Sequence, residues 1–330
     1  MAISSNVILV ITSPEDVTAN RVIEALNERQ ARVARVDPAD IGSGLMFGAC
    51  MGDGRTQWEG RLRTPSRDIA MGEIGAVYYR RPTPYAARFS HLPRQARDFA
   101  ATEARHGLGG ILNSLHNATY VNHPVSVTRA DYKPAQLRMA AQKGLSTPVT
   151  LITNDLAQAR KFATEYSPVI YKSFRGAPSP AEGNTAAIWT QRIGAEDLDD
   201  SVSLTAHMFQ REVNKTADAR VTVVGRSVFA SRITTPDGAL DWRRGNWDEL
   251  VHEPIAVPET VTRALHAYLD GFELAFGCFD FALEPVDTHD PASEGWTFIE
   301  CNPNGQWGWL PDSDAIAHAF ADVLTEGWWR

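Results

Sequence analysis

Cysteine is scarce. Three are present, Cys50, Cys278 and Cys301, with no C-x-x-C spacing, so neither a disulfide framework nor a zinc site is expected, and a reducing cytoplasm suits the chain. No run approaches the roughly 18 apolar residues that span a bilayer, so no membrane partner is expected. The apolar stretch Asn6 to Thr12 is too short for a signal-peptide core and has no basic leader, which again points to a cytoplasmic protein. A basic excess is missing too. Lys and Arg number 32 against 40 Asp and Glu, a net charge of -8, which disfavours nucleic-acid binding and argues against an anionic substrate. Internal repeats and low-complexity segments are absent. What remains is ordinary globular composition, 43% hydrophobic and 22% charged, so disorder is not expected over most of the 330 residues. At roughly 150 residues per domain, that length suggests about two domains.

Val7 to Ile11 is a continuous β-branched run, as in a buried parallel strand. Ser13 to Asp16 offers cap chemistry, and Val17, Val22, Ile23 and Leu26 follow as one face of a helix. Val33 to Val36 predicts a second strand. Between Met46 and Leu62, G-D-G separates two short apolar stretches and predicts a hairpin. Ile74 to Tyr79 reads as a strand running into Arg80, Arg81 and Pro82, and a long helical pattern spans residues 95 to 116. Residues 1–123 thus form one α/β unit, with His123-Pro124 as its boundary. Pro134 suits a helix start and Gly144 its stop. Strands are expected at Pro148 to Thr153 and Pro168 to Ser173, with a helix capped by Asp155 between them. Phe174 to Thr185 is a Gly- and Pro-rich loop, and strand patterns dominate from Ala186 to Ile233. A helix over Pro258 to Gly271, strands at Cys278 to Leu283 and Trp296 to Glu300, and a helix after Pro311 complete an α/β (α+β) chain.

The chemistry concentrates late in the sequence. Asp280 opens D-F-A-L on an apolar strand. Glu300 and Asn302 lie in F-I-E-C-N-P-N-G, and adjacent antiparallel strands would bring the three together. Carboxylates and an amide oxygen are hard ligands suited to magnesium with phosphate. Asp280 could equally pair with an arginine, and Asn302-Pro303 could simply turn the chain. Lys172 sits on an otherwise apolar strand, where a lysine is rare unless paired, and Lys133 precedes a helix start; both suit an anion, although either alone could be a solvated or salt-bridged side chain. Asp218 and Arg220 alternate on one strand face, placed either to meet a γ-phosphate or to form a cross-strand ion pair of little energetic weight.

In this order, Lys133, Lys172, the Gly/Pro loop, Q-R-E-V, D-A-R, D-F-A-L and E-C-N-P-N-G-Q-W-G-W, the chain resembles the ATP-grasp ligase superfamily. G-C-F-D-F-A-L, N-P-N-G-Q-W and V-Y-Y-R-R-P make it similar to the ribosomal peptide maturases called graspetide, or microviridin-type, synthetases. The resemblance covers nearly the whole chain. It implies an ATP-grasp fold of three lobes: a pre-ATP-grasp α/β domain (1–123), a central subdomain (124–207) and a C-terminal grasp subdomain (208–330). It further implies that Lys133 and Lys172 hold α- and β-phosphates and that Gln210, Glu212 and Val213 form the nucleotide hinge. Lys215 would lie near ribose or phosphates, and Arg220 at the γ-phosphate or acyl phosphate. Asp280, Glu300 and Asn302 would bind Mg2+.

The family phosphorylates an Asp or Glu side chain of a precursor peptide, after which a Ser or Thr hydroxyl or a Lys amine closes an ω-ester or ω-amide ring. The partner implied is a ribosomal precursor with a leader and an acidic, Thr-rich core. Dimerisation is expected by resemblance alone, and leader contacts are expected in the central domain without a motif to place them. Asp218 is the candidate base, its other role being to orient Arg220. Arg80 and Arg81 are candidates for bidentate pairing with the acidic core, against the alternative of an exposed basic pair. Trp307 and Trp309 are expected in the core, or else as walls of the substrate cleft. A small-molecule carboxylate-amine ligase of the same superfamily and a non-catalytic nucleotide-binding protein are the competing functions.

Overall fold

The structure, a computed structural model, describes residues 6–175, 189–235, 240–244, 249–287 and 290–327, and side chains of 286–293 are not described. The segment 176–188, which contains most of the expected Gly/Pro loop, lies outside the described residues.

The first sheet is parallel, in the order β2-β1-β6-β7, where β1 is Val7–Ile11, β2 Arg32–Val36, β6 Ile74–Tyr79 and β7 Thr119–Val121. All five residues of β1 are buried, as a central strand covered on both faces requires. Helix α1 (Val17–Glu28) starts at Asp16, whose carboxylate accepts from Ala19 N at 3.0 Å. Its inward face is Thr18, Ala19, Val22, Ala25 and Leu26. Val17, expected on that face, is exposed, because the helical spacing carries it round to the side opposite the stripe. The G-D-G segment does close a hairpin, β3 (Met46–Gly52) to β4 (Arg55–Thr64), and Gly52, Asp53 and Gly54 all take positive φ. Strand β5 (Arg67–Ala70) extends it. The helices α2 (Tyr85–Arg88) and α3 (Arg94–Leu112) complete this unit.

After His123 come α4 (Pro124–Ala130) and α5 (Lys133–Gln142). The central sheet is antiparallel, in the order β10-β9-β11-β8: β8 is Thr150–Thr153, β9 Val169–Lys172, β10 Gln191–Ile193 and β11 His207–Arg211. Helix α6 (Leu156–Glu165) covers it, capped by Asp155 as expected. Much of 195–204 forms short 3-10 turns instead of the expected strands.

The third sheet is antiparallel, in the order β14-β13-β12-β15-β16: β12 is Ala217–Val224, β13 Ser227–Thr234, β14 Val251–Pro254, β15 Phe276–Asp287 and β16 Asp290–Asn302. It is covered on one side by α7 (Glu259–Phe272) and on the other by α8 (Ser313–Glu326).

Two placements modify the expected lobes. β11 hydrogen-bonds both β8 and β9, so a division after residue 207 cuts the central sheet. Residues of α4 and α5 pack with α7 and the third sheet, so they belong by contact to the C-terminal core. A second apolar cluster joins Ile8, Val10 and Tyr78 of the first sheet to Phe276, Trp307 and Phe320, so the first and third sheets share one core.

Candidate active site

A cleft opens between the central and third sheets, with about 590 Å³ of empty space including its mouth. The central sheet contributes Ile170, Lys172 and Gln210. The last residue of β11 and the extended segment after it contribute Arg211, Glu212, Val213 and Lys215. The third sheet contributes Asp218, Asp280, Ala282, Ile299 and Glu300. The register explains the carboxylates: Asp280 of β15 pairs with Glu300 of β16, and Arg220 of β12 pairs with Asp280 on its other side. Asn302, two residues beyond Glu300, projects from the same strand face but is not in the lining; its Oδ1 accepts from Asn304 N at 3.0 Å.

Lys133 and Arg220 lie outside the lining but reach its carboxylates. Lys133, the first residue of α5, donates to Glu300. Arg220 Nη1 donates to Asp280 at 2.7 Å. Arg243 Nη1 approaches the second Glu300 oxygen at 3.3 Å. Burial raises the Glu300 pKa, but Lys133, Arg243 and Lys172 outweigh it and hold the carboxyl well below its usual range. Lys172 is pushed down to about 8, chiefly by burial, with Lys133 and Arg243 adding to it and Glu300 opposing. Asp218 is pushed up to about 6 by burial and by the charges of Asp280 and Asp241, against Lys215.

Among the described residues no group of three His, Cys, Asp or Glu side chains gathers to hold a metal ion. The donor chemistry still fits magnesium, a hard cation that takes oxygen ligands: two carboxylates pair across β15 and β16, with an amide oxygen two residues beyond them.

Gln210 is buried, with its Nε2 donating to Thr150 Oγ1 at 3.0 Å and its Oε1 unpartnered. Glu212 is held by a bidentate pair from Arg192 at 2.6 and 2.7 Å. Lys215 spends its donors on both Asp218 oxygens and on Leu240 O. Trp307 is fully buried and stacks on Phe320, and that burial settles its place in the core. Trp309 packs against Trp242, which lines the cleft.

One expectation is corrected. Arg80 is not a surface residue available to a peptide: its side chain is 0% exposed and ion-paired with Asp16 at 2.9 Å, because the first sheet and the E-C-N-P-N-G-Q loop close over it. Arg81 remains exposed, with Nε donating to Asn304 O at 3.2 Å.

Sequence reasoning missed Asp241, Trp242 and Arg243, which line the cleft on a short turn. Arg243 chelates Asp241 through Nε and Nη2 at 2.9 and 3.0 Å, which holds the Asp241 carboxyl below its usual range despite burial. The only signal was D-W-R-R itself, a tryptophan among charges in a loop.

A family model described as the MvdD pre-ATP grasp domain matches residues 7–128. No curated protein matches the chain. Solved structures match over nearly its full length. A RiPP-associated ATP-grasp ligase from Chryseobacterium gregarium, in complex with ADP and a leader and core peptide, is 25% identical with a TM-score of 0.87, covering 98% of this chain and 97% of that one. The macrocyclase MdnC of Microcystis aeruginosa MRC, bound with precursor peptide MdnA, is 25% identical with a TM-score of 0.83, over 97% and 99% of the two chains. The macrocyclase MdnB of the same organism is 26% identical with a TM-score of 0.75, again over 97% and 99%. With a cleft built between two antiparallel sheets and this likeness over the whole length, the chain is similar in fold and extent to ATP-grasp ligases of the ribosomal peptide maturase kind.

Proposed function

We propose that this ligase uses ATP to phosphorylate Asp or Glu side chains of a ribosomal precursor peptide, and then closes ω-ester rings with Ser or Thr or ω-amide rings with Lys. The observation that carries the reading is one cleft that gathers Lys172, the Gln210–Lys215 segment, Asp218, Asp280 and Glu300, with Lys133 and Arg220 on its carboxylates. A carboxylate is a poor electrophile. Transfer of the γ-phosphoryl group to its oxygen releases ADP and makes an acyl phosphate. Attack by the hydroxyl or amine on that carbonyl then expels phosphate, so each ring costs one water overall.

Lys133 and Lys172 neutralise the α- and β-phosphates, and the Gln210–Val213 segment receives the base at the hinge. Arg220 meets the transferred phosphoryl group, and such positioned cations supply most of the catalysis in phosphoryl transfer. Asp280, Glu300 and Asn302 would hold Mg2+, which would supply positive charge against the phosphates. Asp218, with a pKa raised to about 6, is largely ionised at neutral pH and takes the proton from the attacking hydroxyl. Arg81, exposed beside Asn304, is the cation that meets the acidic core.

The working lobes are the pre-ATP-grasp unit and the two sheets that face each other across the cleft. Among the described residues no helix is long and apolar enough to cross a membrane. We place the reaction in the cytoplasm, where ATP and newly made peptide meet.

The test is incubation with a candidate precursor from a neighbouring short gene, ATP and magnesium, read by intact mass. The expected result is a loss of about 18 Da per ring, one water per acyl transfer. ATP turnover with free amino acids, and none with any peptide, would instead make this a small-molecule ligase.

A further inference from the structure

Strand β16 carries Glu300 and then leaves the sheet as the loop Pro303–Trp307. Side chains from the first 136 residues hold this strip at four points. The Gln136 amide accepts from Cys301 N at 3.1 Å and donates to Cys301 O at 2.8 Å. Asn122 donates to Pro303 O at 2.8 Å. Arg81 donates to Asn304 O, and Arg80 Nη1 donates to Gly305 O at 3.0 Å.

Arg80 reaches furthest. Its Nη2 also donates to Gln306 Oε1 at 2.5 Å, an oxygen that the Thr18 hydroxyl reaches at 3.1 Å. Its charge is paired with Asp16, the N-cap of α1. From the opposite side, Arg220 Nη2 donates to Gln306 O at 3.0 Å while Nη1 binds Asp280. Two buried guanidinium groups therefore grip one residue, Gln306, from two sheets. The packing leaves no slack: a Cβ on Gly305 would stand 2.5 Å from Cys278 Cβ and 3.2 Å from Arg220 Nη2.

We propose that Arg80 is a positioning residue for Arg220. The first sheet sets the loop 304–306 through Arg80, and the Gln306 carbonyl sets the Arg220 fork against Asp280. The role rests on the reading that Arg220 meets the transferred phosphoryl group. An arginine has several rotatable bonds and a planar fork, so the carbonyl it binds selects one orientation. A shift of about 1 Å in a reacting group costs on the order of 100-fold in rate.

The test compares wild type, Arg80→Lys, Arg220→Lys and the double variant. Arg80→Lys keeps a charge opposite Asp16 and removes the fork. Hydrogen exchange of the 302–310 segment needs no substrate. It should rise in Arg80→Lys and in Arg220→Lys, and the double variant should exchange no faster than the faster single. With precursor, ATP and magnesium, kcat of Arg80→Lys should fall on the order of 10- to 100-fold while KM for ATP stays within about threefold. The double variant should be no slower than Arg220→Lys alone. Unchanged exchange in Arg80→Lys, or multiplicative losses in the double variant, overturns the proposal. If Arg80→Lys does not fold, Gln306→Ala and Thr18→Ala carry the same comparison, with smaller losses and the same lack of additivity. A wild type that turns over no precursor refutes the peptide reading, and the exchange results still decide the coupling between the two arginines.

Discussion

Nucleotide affinity should fall as pH rises through 8, and Lys172 should be the cause. Burial beside Lys133 and Arg243 brings its pKa from the usual 10.5 to about 8. The cationic form, which in the proposed role attracts phosphate, is thus present below 8 and lost above it. Phosphate oxygens lose their last proton with a pKa of about 6, so their charge changes little between pH 7 and 9. A group of pKa about 8 is roughly nine-tenths protonated at pH 7 and one-tenth at pH 9. If only the cationic form binds, Kd for a non-hydrolysable ATP analogue with magnesium should rise about tenfold between those values, or about 1.4 kcal/mol. Phosphate binding stabilises the ammonium, so the midpoint in the complex should lie above 8. Isothermal titration calorimetry at pH 7, 8 and 9 measures this directly. Lys172→Arg stays charged throughout and should flatten the dependence; Lys172→Gln should bind weakly at every pH. The same slope in wild type and Lys172→Arg would refute the reasoning and assign the titration to another group.

The other predictions concern the carboxylates, the base, the exposed arginine and the core. Asp280→Asn and Glu300→Gln should abolish ATP-dependent dehydration of the precursor while thermal melts remain cooperative; unchanged dehydration by mass spectrometry would remove both from the magnesium site. Turnover should drop as pH falls through about 6, where Asp218 gains its proton, and Asp218→Asn should lower the rate and erase that limb of the pH–rate profile. Arg81→Ala should raise KM for the precursor without weakening nucleotide binding; an equal loss of ATP affinity would place it at the phosphates. Trp307→Ala empties a fully buried site stacked on Phe320 and should destabilise the fold by about 3–5 kcal/mol in urea titrations. A fold that loses no stability in that variant would show that Trp307 is not a core residue.

The strands that carry the site were legible because their chemistry breaks their own pattern. Lys172 ends an apolar strand, Asp280 interrupts G-C-F-D-F, and Glu300 interrupts F-I-E-C. A charge on a buried strand is costly unless something meets it, so such positions stand out in a sequence. β11 was harder to assign: its length and pattern are those of a strand, but nothing local says that its partners are β8 and β9. Arg80 and Arg81 look equivalent in the sequence and are opposite in space. One lies under the loop 304–306, more than 220 residues away in the chain, and the other lies outside it. D-W-R-R gave no warning because a short turn has no periodicity to read, yet it brings Arg243 to Glu300. Asp218 was legible as a strand residue, but its raised pKa comes from burial first, with the charges of Asp280 and Asp241 adding to it.

The net charge of -8 illustrates the division between sequence and structure. Composition alone argued against an anionic substrate, whereas Lys133, Lys172 and Arg243 gather around a single carboxylate, Glu300. What the sequence determined by itself was the set of elements, the order of the motifs and hence the resemblance to a ligase family, since periodicity and turn chemistry act over a few residues. What only the tertiary structure decided was which cations share a carboxylate, which arginine is buried, and which sheet each strand joins. Those outcomes depend on through-space distance and desolvation between segments far apart in the chain, and local sequence carries neither.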